Sequence, residues 1–158
     1  MKYIWYYTYP RVSLGIIEEN GFITDIFFDS GARGSMIVQE EAPLIKRASE
    51  QLAEYFAGQR QCFDLPLLPA GTVFQKKVWD AVYTIPCGET RSYKDIAVMT
   101  GNHLAARAVG MANNHNPIAI VIPCHRVVGS NGSLVGYGGG LDVKAYLLDL
   151  EKGIYTAE

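Results

Sequence analysis

The sequence predicts a mixed α/β fold, with a small antiparallel sheet and one helix in its first part and mostly helices in its second. Runs rich in aromatic and β-branched residues, separated by turn signals, fill the first 29 residues. After residue 40, apolar residues recur at helical spacing instead. The length of 158 residues, with 49% hydrophobic and 19% charged residues, fits one globular domain or two small subdomains that share a core.

Three strands are predicted in the N-terminal part, at residues 3–8, 12–18 and 22–29. Asn20-Gly21 between the last two strands is typical of a tight hairpin turn. A helix is predicted within residues 40–57, because apolar side chains there share one stripe and Gly58 follows as a stop: Leu44, Ala48, Leu52, Tyr55 and Phe56. Residues 65–71 fit neither period, so they are interpreted as a linker between a subdomain over residues 1–66 and a second over residues 72–158.

Capping signals predict the helices of the second subdomain. Thr72 and Gln75 have the spacing of a capping box for a helix that ends near residue 83, and a Pro-Cys-Gly break follows it. Ser92 is predicted to cap a short helix that ends at Gly101, and Asn102 to cap another over residues 103–113. Two short helices joined by such a turn are a helix-turn-helix candidate, although many helical hairpins touch no DNA.

The second of these helices is rich in small residues and has one long cation, Arg107. Small residues allow a backbone to approach another surface closely. Burial against neighbouring elements is the simpler explanation, but an arginine is costly to bury without a partner. The composition therefore leaves a binding surface and a buried helix as alternatives.

A continuous apolar run at residues 118–122 predicts a buried strand with Cys124 at its end, followed by His125 and Arg126. A thiol is a strong nucleophile only as the thiolate, and nearby cations lower its pKa toward that form. Cys62 and Cys87 have no histidine neighbour and fit the role of small core residues. Cys124 is therefore the candidate nucleophile.

His125 needs a carboxylate that fixes its tautomer. Neighbouring side chains on a strand point to opposite faces, so His125 reaches Cys124 only if the chain turns or a water bridges them. The last helix is predicted over residues 142–151, and Glu151 continues its core-facing stripe. An anion at a helix C-terminus is destabilised by the helix dipole. Glu151 is therefore expected to have a positively charged or hydrogen-bonding partner, and the alternative is a solvated helix end.

The net charge of −2 does not by itself indicate a nucleic-acid binder. Between residues 91 and 128, however, four Lys or Arg residues stand against a single Asp, and all three histidines lie there. A local basic face suits phosphate contacts, with chance clustering as the alternative. Three cysteines cannot form a disulfide framework, and neither a signal peptide nor a membrane span is recognisable, so a cytoplasmic protein is expected.

More than half of the chain, from about Thr72 onward, closely resembles the O6-alkylguanine-DNA alkyltransferases, the methylated-DNA–protein-cysteine methyltransferases. The motifs are Pro86 to Tyr93, Ala105 to Gly110, Asn116-Pro117, Ile122 to Val128, Gly136 to Gly140 and Leu147 to Glu151. The resemblance implies a ribonuclease-H-like N-terminal subdomain and a winged-helix-like DNA-binding subdomain with a helix-turn-helix.

The resemblance also implies a reaction. Cys124 would take the alkyl group from O6-alkylguanine, and from O4-alkylthymine, in a single irreversible turnover. His125 would act as a base through a water, oriented by Glu151, while Tyr93 would donate a proton or hydrogen bond at guanine N3. Asn116 would brace the turn around the nucleophile.

The substrate contacts are implied in the same way. The main-chain carbonyls of Cys124 and Val127 would accept from the guanine amino group, Tyr137 would wall the pocket, and the backbone N–H of Gly138 would face O6 where other members carry serine. The flipped nucleotide would leave the duplex by the minor groove, with Arg107 in its place. Further DNA contacts are expected at Ser92, Lys94, Asn102, Ala105, Ala106, Gly110 and Ser130.

The expected partner is double-stranded DNA that contains O6-alkylguanine, bound by a monomer, with cooperative assembly on DNA left open. No cofactor is expected. Some members bind zinc in the N-terminal part, but residues 1–71 contain no histidine and only Cys62, so no metal is predicted. The alternatives are a catalytically silent lesion-binding relative, which would lack the cysteine, and a Cys-His hydrolase or thiol redox protein, which leaves the small-residue helix unexplained.

Overall fold

The computed structural model describes residues 1–29 and 37–153 of the chain. Residues 30–36 and 154–158, which the two predicted subdomains include, lie outside the described residues. The fold is mixed α/β, as predicted. Its elements are the strands β1 (Lys2–Thr8), β2 (Ser13–Glu19), β3 (Phe22–Phe28), β4 (Val38–Gln39), β5 (Arg91–Ser92) and β6 (Val127–Val128), and the helices α1 (Pro43–Phe56), α2 (Val73–Tyr83), α3 (Tyr93–Met99), α4 (Ala106–Asn114) and α5 (Leu141–Glu151).

The N-terminal sheet has the strand order β3-β2-β1-β4. The pairs β1–β2 and β2–β3 are antiparallel, and the short β4 runs parallel to β1. Asn20 and Gly21 both have positive φ, of 53° and 85°, which is the backbone of the predicted hairpin turn. The three predicted strands and their connection are confirmed.

One hydrophobic core contains residues from the sheet, from α1 and from the C-terminal helices. The buried face of α1 includes four of the five residues of the predicted stripe: Ala48, Leu52, Tyr55 and Phe56. The indole N–H of Trp79 on α2 donates to the carbonyl of Ala112 on α4 at 2.8 Å, which joins these two helices inside the core. In the described part of the chain, no helix has the length and apolar character needed to cross a membrane.

Side-chain caps begin the second part as the sequence predicts. Thr72 with Gln75 caps α2, and Ser92 with Asp95 caps α3, each as a complete capping box. The prediction for Asn102 is wrong. Its Oδ1 accepts from the N–H of Leu104 in the preceding turn, and α4 begins only at Ala106.

The free edge of β3 is covered by two other segments. Ile23 exchanges backbone hydrogen bonds with Pro66 and Leu68, so the predicted linker is bonded to the sheet. Further along β3, the N–H of Ile26 donates to the carbonyl of Pro117, and its carbonyl accepts from Ala119, both at 2.9 Å. The segment that leads to Cys124 therefore covers this part of the sheet edge.

The buried strand predicted at residues 118–122 is wrong. Ile118 makes one bridge to β3, after which the chain turns, with Ile120 at φ 71°. The residues are buried, as an apolar run indicates, but a turn rather than a strand buries them. Cys124 consequently begins a single 3-10 turn, Cys124–Arg126, instead of ending a strand.

Candidate active site

Cys124 lines a cavity of about 400 Å³. Its side chain is buried, and most other lining residues of the cavity come from β3 and from the end of α4 with the turn after it. The other lining residues include Phe28, Asn113, Asn116, Tyr137 and Gly138. The structure thus brings Cys124 together with three residues predicted for the site: Asn116, Tyr137 and Gly138.

Asn116 holds the turn before Cys124 through its side-chain amide. Its Nδ2 donates to the carbonyls of Ile118 and Ile122, at 3.2 and 2.8 Å, and its Oδ1 accepts from the N–H of Ile118 at 3.0 Å. An amide that both donates and accepts can replace the hydrogen bonds that a strand would supply. This side chain explains why a buried apolar run can turn here.

His125 binds Glu151. Its Nε2 lies 2.6 Å from Glu151 Oε2, and both side chains are buried. The chain turns at this point, but the hydrogen bonds of His125 in the described structure include none to Cys124, so a bridging water is the route between the two that stays open. In the described part of the protein, Nδ1 of His125 is buried and has no hydrogen-bond partner. That nitrogen is free to accept a proton.

Arg126 also binds Glu151, at 2.8 Å to Oε1 and 2.9 Å to Oε2, and donates to the carbonyl of Ile85. This contradicts a surface role for Arg126 in the basic face, because the side chain is buried and paired. Burial alone would raise the pKa of Glu151, but the charges and hydrogen bonds of His125 and Arg126 lower it below the usual range. Burial lowers the pKa of His125, and Glu151 offsets this only in part. Near neutral pH the pair is therefore a carboxylate and a neutral imidazole.

The cation that acts on Cys124 is Lys144, which the sequence analysis did not single out. Burial raises the pKa of the Cys124 thiol, while a hydrogen bond from Asn116 and the charge of Lys144 act in the opposite direction. The expectation that His125 and Arg126 favour the thiolate is wrong, because both side chains point to Glu151. In the resting protein the thiol is protonated, and a base is needed to activate it.

Two predicted acceptors already have protein donors. The carbonyl of Cys124 accepts from Asn113 Nδ2 at 3.1 Å, and that of Val127 accepts from Lys144 Nζ at 2.8 Å. The Cys124 carbonyl also accepts from the backbone N–H of Val127, which closes the 3-10 turn, so both of its lone pairs are engaged. A guanine amino group would have to replace one of these two donors. The Tyr137 hydroxyl is buried without a partner among the described residues, and its ring packs edge-to-face on Phe28 at 5.5 Å.

A second concavity, of about 670 Å³, adjoins the Cys124 cavity, and Asn114 lines both. Six residues predicted for the site line it: Tyr93, Lys94, Ala106, Arg107, Gly110 and Ser130. Arg107 is exposed, so burial of the helix face that holds it is ruled out. The Tyr93 hydroxyl donates to the carbonyl of Val135 at 3.0 Å. Ser92, Asn102 and Ala105 lie outside this groove; Ser92 caps α3 and Ala105 is the N-cap residue of α4.

Comparison with known proteins decides the family. The model of the 6-O-methylguanine DNA methyltransferase DNA-binding domain matches residues 73–153, more than half of the chain. The chain belongs to the O6-methylguanine-DNA methyltransferase family. The match includes α2 to α5, and therefore the Cys124 turn, the groove on α4 and the helix that ends at Glu151.

Named relatives extend the match to the N-terminal part. A methylated-DNA–protein-cysteine methyltransferase of Methanosarcina acetivorans is 57% identical over 112 residues, 71% of this chain and 72% of the relative. A constitutive one of Bacillus subtilis is 46% identical over 160 residues, 95% and 97% of the two chains. The crystal structure of Mycobacterium tuberculosis OGT in complex with DNA superposes with a TM-score of 0.91 at 43% identity, over 98% of this chain and 96% of that one.

Three residues of the methyltransferase site were missed from the sequence. Lys144 is buried on the core face of α5, and a lysine on an apolar stripe was the available signal. Asn113 and Tyr55 gave no such signal, since their partners lie 11 and 96 residues away. Among the described residues no three His, Cys, Asp or Glu side chains assemble as metal ligands, and the absence of a metal stays a prediction.

Proposed function

We propose that this chain repairs alkylated DNA by transferring the alkyl group of O6-alkylguanine to the sulfur of Cys124. Family membership gives the activity class, methylated-DNA–protein-cysteine methyltransferase. The observation that carries the assignment to Cys124 is that its buried side chain lines the cavity and directly precedes His125, which is bonded to Glu151. We extend the proposal to O4-alkylthymine, which presents the same kind of alkyl–oxygen bond.

The reaction is an in-line displacement on the alkyl carbon. His125 removes the thiol proton through a water at its free Nδ1, while Glu151 holds the Nε2–H and stabilises the imidazolium. The C–S bond forms as the bond between carbon and O6 breaks, and the electron pair passes into the guanine ring. Tyr93 exchanges its hydrogen bond to the Val135 carbonyl for one to guanine N3 as the ring gains charge. Overall, the thiol loses one proton and the released guanine gains one.

The lesion must leave the base stack before Cys124 can reach it. We propose that α4 enters the minor groove, that the nucleotide flips into the Cys124 cavity and that Arg107 fills the vacated space. The groove supports this order, since its small residues Ala106 and Gly110 leave room beside the exposed Arg107. M. tuberculosis OGT, which has the same fold as this chain, was crystallised in complex with DNA.

The product is a thioether, which is chemically stable, and the proposed site offers no second nucleophile to clear it. Each molecule therefore acts once. The decisive experiment incubates the protein with duplex DNA that contains O6-methylguanine and measures peptide masses. We expect a gain of about 14 Da, one CH2, on the Cys124 peptide, with Cys62 and Cys87 as internal controls.

Stoichiometry and a variant complete the test. With DNA in excess, repaired guanine should equal the protein added, and Cys124→Ser should bind the lesion without transfer. Tight binding by the unchanged protein with no mass gain would instead support the silent lesion-binding class. Turnover beyond one equivalent would contradict a suicide reaction.

A further inference from the structure

We infer that Tyr55, on the last turn of α1, is a positioning residue for the transfer reaction and acts through its hydrogen bond to the same Glu151 oxygen that binds His125. The inference deepens the proposed function and rests on it, because it assigns a role toward the base of that reaction. It assigns this role to a residue outside the segment that the family model matches, residues 73–153.

One oxygen of Glu151 is the centre of the arrangement. Oε2 accepts from the Tyr55 hydroxyl at 2.5 Å, from His125 Nε2 at 2.6 Å and from Arg126 Nη2 at 2.9 Å. The Tyr55 residue is 2% exposed and the Glu151 side chain 1%. Hydrogen bonds to a buried anion are strong and directional, so the three donors together fix where the carboxylate lies.

The ring of Tyr55 is held independently of its hydroxyl. It packs on Phe56 and Phe63 at centroid distances of 5.3 and 5.6 Å. Phenylalanine would make the same ring contacts, so packing does not require the hydroxyl. The hydroxyl makes its hydrogen bond to Glu151, and this contact is what a change to phenylalanine removes.

The Tyr55 hydrogen bond limits how strongly Glu151 attracts the proton of His125. A carboxylate that shares its charge with a neutral donor stabilises a neighbouring imidazolium less, so His125 stays neutral with Nδ1 able to accept. Without the hydroxyl, more of the charge faces His125 and its pKa rises. The other groups with electrostatic effects on Glu151 or His125 stay in place: Arg126 on the same turn, Cys87 before β5, Tyr137 in the loop before α5, and Lys144 on α5.

The test measures the single-turnover rate on duplex DNA with O6-methylguanine between pH 5 and 9, for the unchanged protein and for Tyr55→Phe. We expect the variant to react roughly threefold to tenfold more slowly below pH 7. Its acid limb should lie about 0.5–1 pH unit higher, because His125 must lose its proton first. The matched control is Tyr9→Phe. The ring of Tyr9 also packs on Phe56, at 4.9 Å, but its hydroxyl donates to the Ser49 carbonyl instead of to Glu151. This variant should leave the pH profile unchanged.

Two further measurements separate positioning from a general loss of stability. In a Glu151→Gln background, Tyr55→Phe should have almost no further effect on the rate, because both substitutions remove the same interaction, that of the Tyr55 hydroxyl with the Glu151 carboxylate. NMR titration of the His125 imidazole should show the pKa increase without any reaction. Equal slowing at all pH values, or the same slowing in both backgrounds, would overturn the inference. A wild-type protein that transfers nothing would instead overturn the proposed function.

Discussion

The ammonium group of Lys144 donates a hydrogen bond to the main-chain carbonyl of Val127 at 2.8 Å, inside the protein. The same Nζ lies 2.9 Å from the carbonyl of Val135 and 3.4 Å from that of Gly136. One side chain on α5 therefore joins the strand after Cys124 to the loop that supplies Tyr137. Burial lowers the pKa of Lys144, and the negative charge of a Cys124 thiolate would act against this.

Lys144→Met should destabilise the protein by about 1–3 kcal/mol. The methionine keeps much of the apolar length but donates nothing, so buried carbonyls lose their partner. Urea unfolding at pH 7 measures the change. The control is Lys152→Met, an exposed position just beyond α5, which should change the free energy of unfolding by less than about 0.5 kcal/mol. Equal effects at both positions would show that the three carbonyls do not depend on Lys144.

Asn116→Ala should cost about 2–3 kcal/mol of stability and slow alkyl transfer. The substitution removes both donors and the acceptor that hold the turn before Cys124. Thermal unfolding and the single-turnover rate measure the two effects. Asn131→Ala is the matched control, because Asn131 Oδ1 accepts from Ser133 in an exposed loop. A variant with normal stability and rate would show that the turn holds itself.

The stability of the protein should fall in two steps as the pH is lowered. His125 has a native pKa below its ordinary 6.5, so the unfolded chain binds more protons and stability is lost first as the pH falls through 6.5. Glu151, whose pKa is lowered from 4.5, adds a second loss below that value. Each proton contributes at most about 1.4 kcal/mol per pH unit.

Urea unfolding at several pH values measures both steps. His125→Gln should flatten the first step, whereas His103→Gln, at an exposed position, should leave it as it is. If the first loss of stability persists in His125→Gln, it comes from the titration of other groups.

Arg107→Ala should slow repair of duplex DNA far more than reaction with free O6-benzylguanine. The proposed role of Arg107 is to offset unstacking, which costs a few kcal/mol in a duplex and nothing for a free base. Because the side chain is exposed, the melting temperature should stay nearly constant. Parallel rate measurements on both substrates test this. Equal losses would give Arg107 a role outside base flipping.

Local signals in the sequence predicted local structure well. Asn20-Gly21 and the capping boxes at Thr72 and Ser92 each involve atoms within a few residues of one another. Asn102 shows the limit of such signals. Its side chain accepts a hydrogen bond as a cap would, but the turn it begins does not continue directly into α4.

The rest of the site depends on distant partners. An apolar run at residues 118–122 indicates burial but not backbone path, and the amide of Asn116 decides that path. Arg126 lies among other cations in the sequence, yet it pairs with Glu151, 25 residues away. Composition gives the charge of a segment, whereas the fold decides which charges reach the surface.

The bonds between β3 and the Cys124 segment have a consequence for solubility. An uncovered edge strand presents free N–H and C=O groups, which the strands of other chains can pair with. Here the backbone N–H and C=O of Ile26 are bonded to Pro117 and Ala119, which lead into the turn before Cys124. A lesion adduct or substitution that opens this turn would free part of that edge. The backbone bonds that hold the segment before Cys124 against β3 therefore also reduce the tendency of this edge to pair with other chains and aggregate.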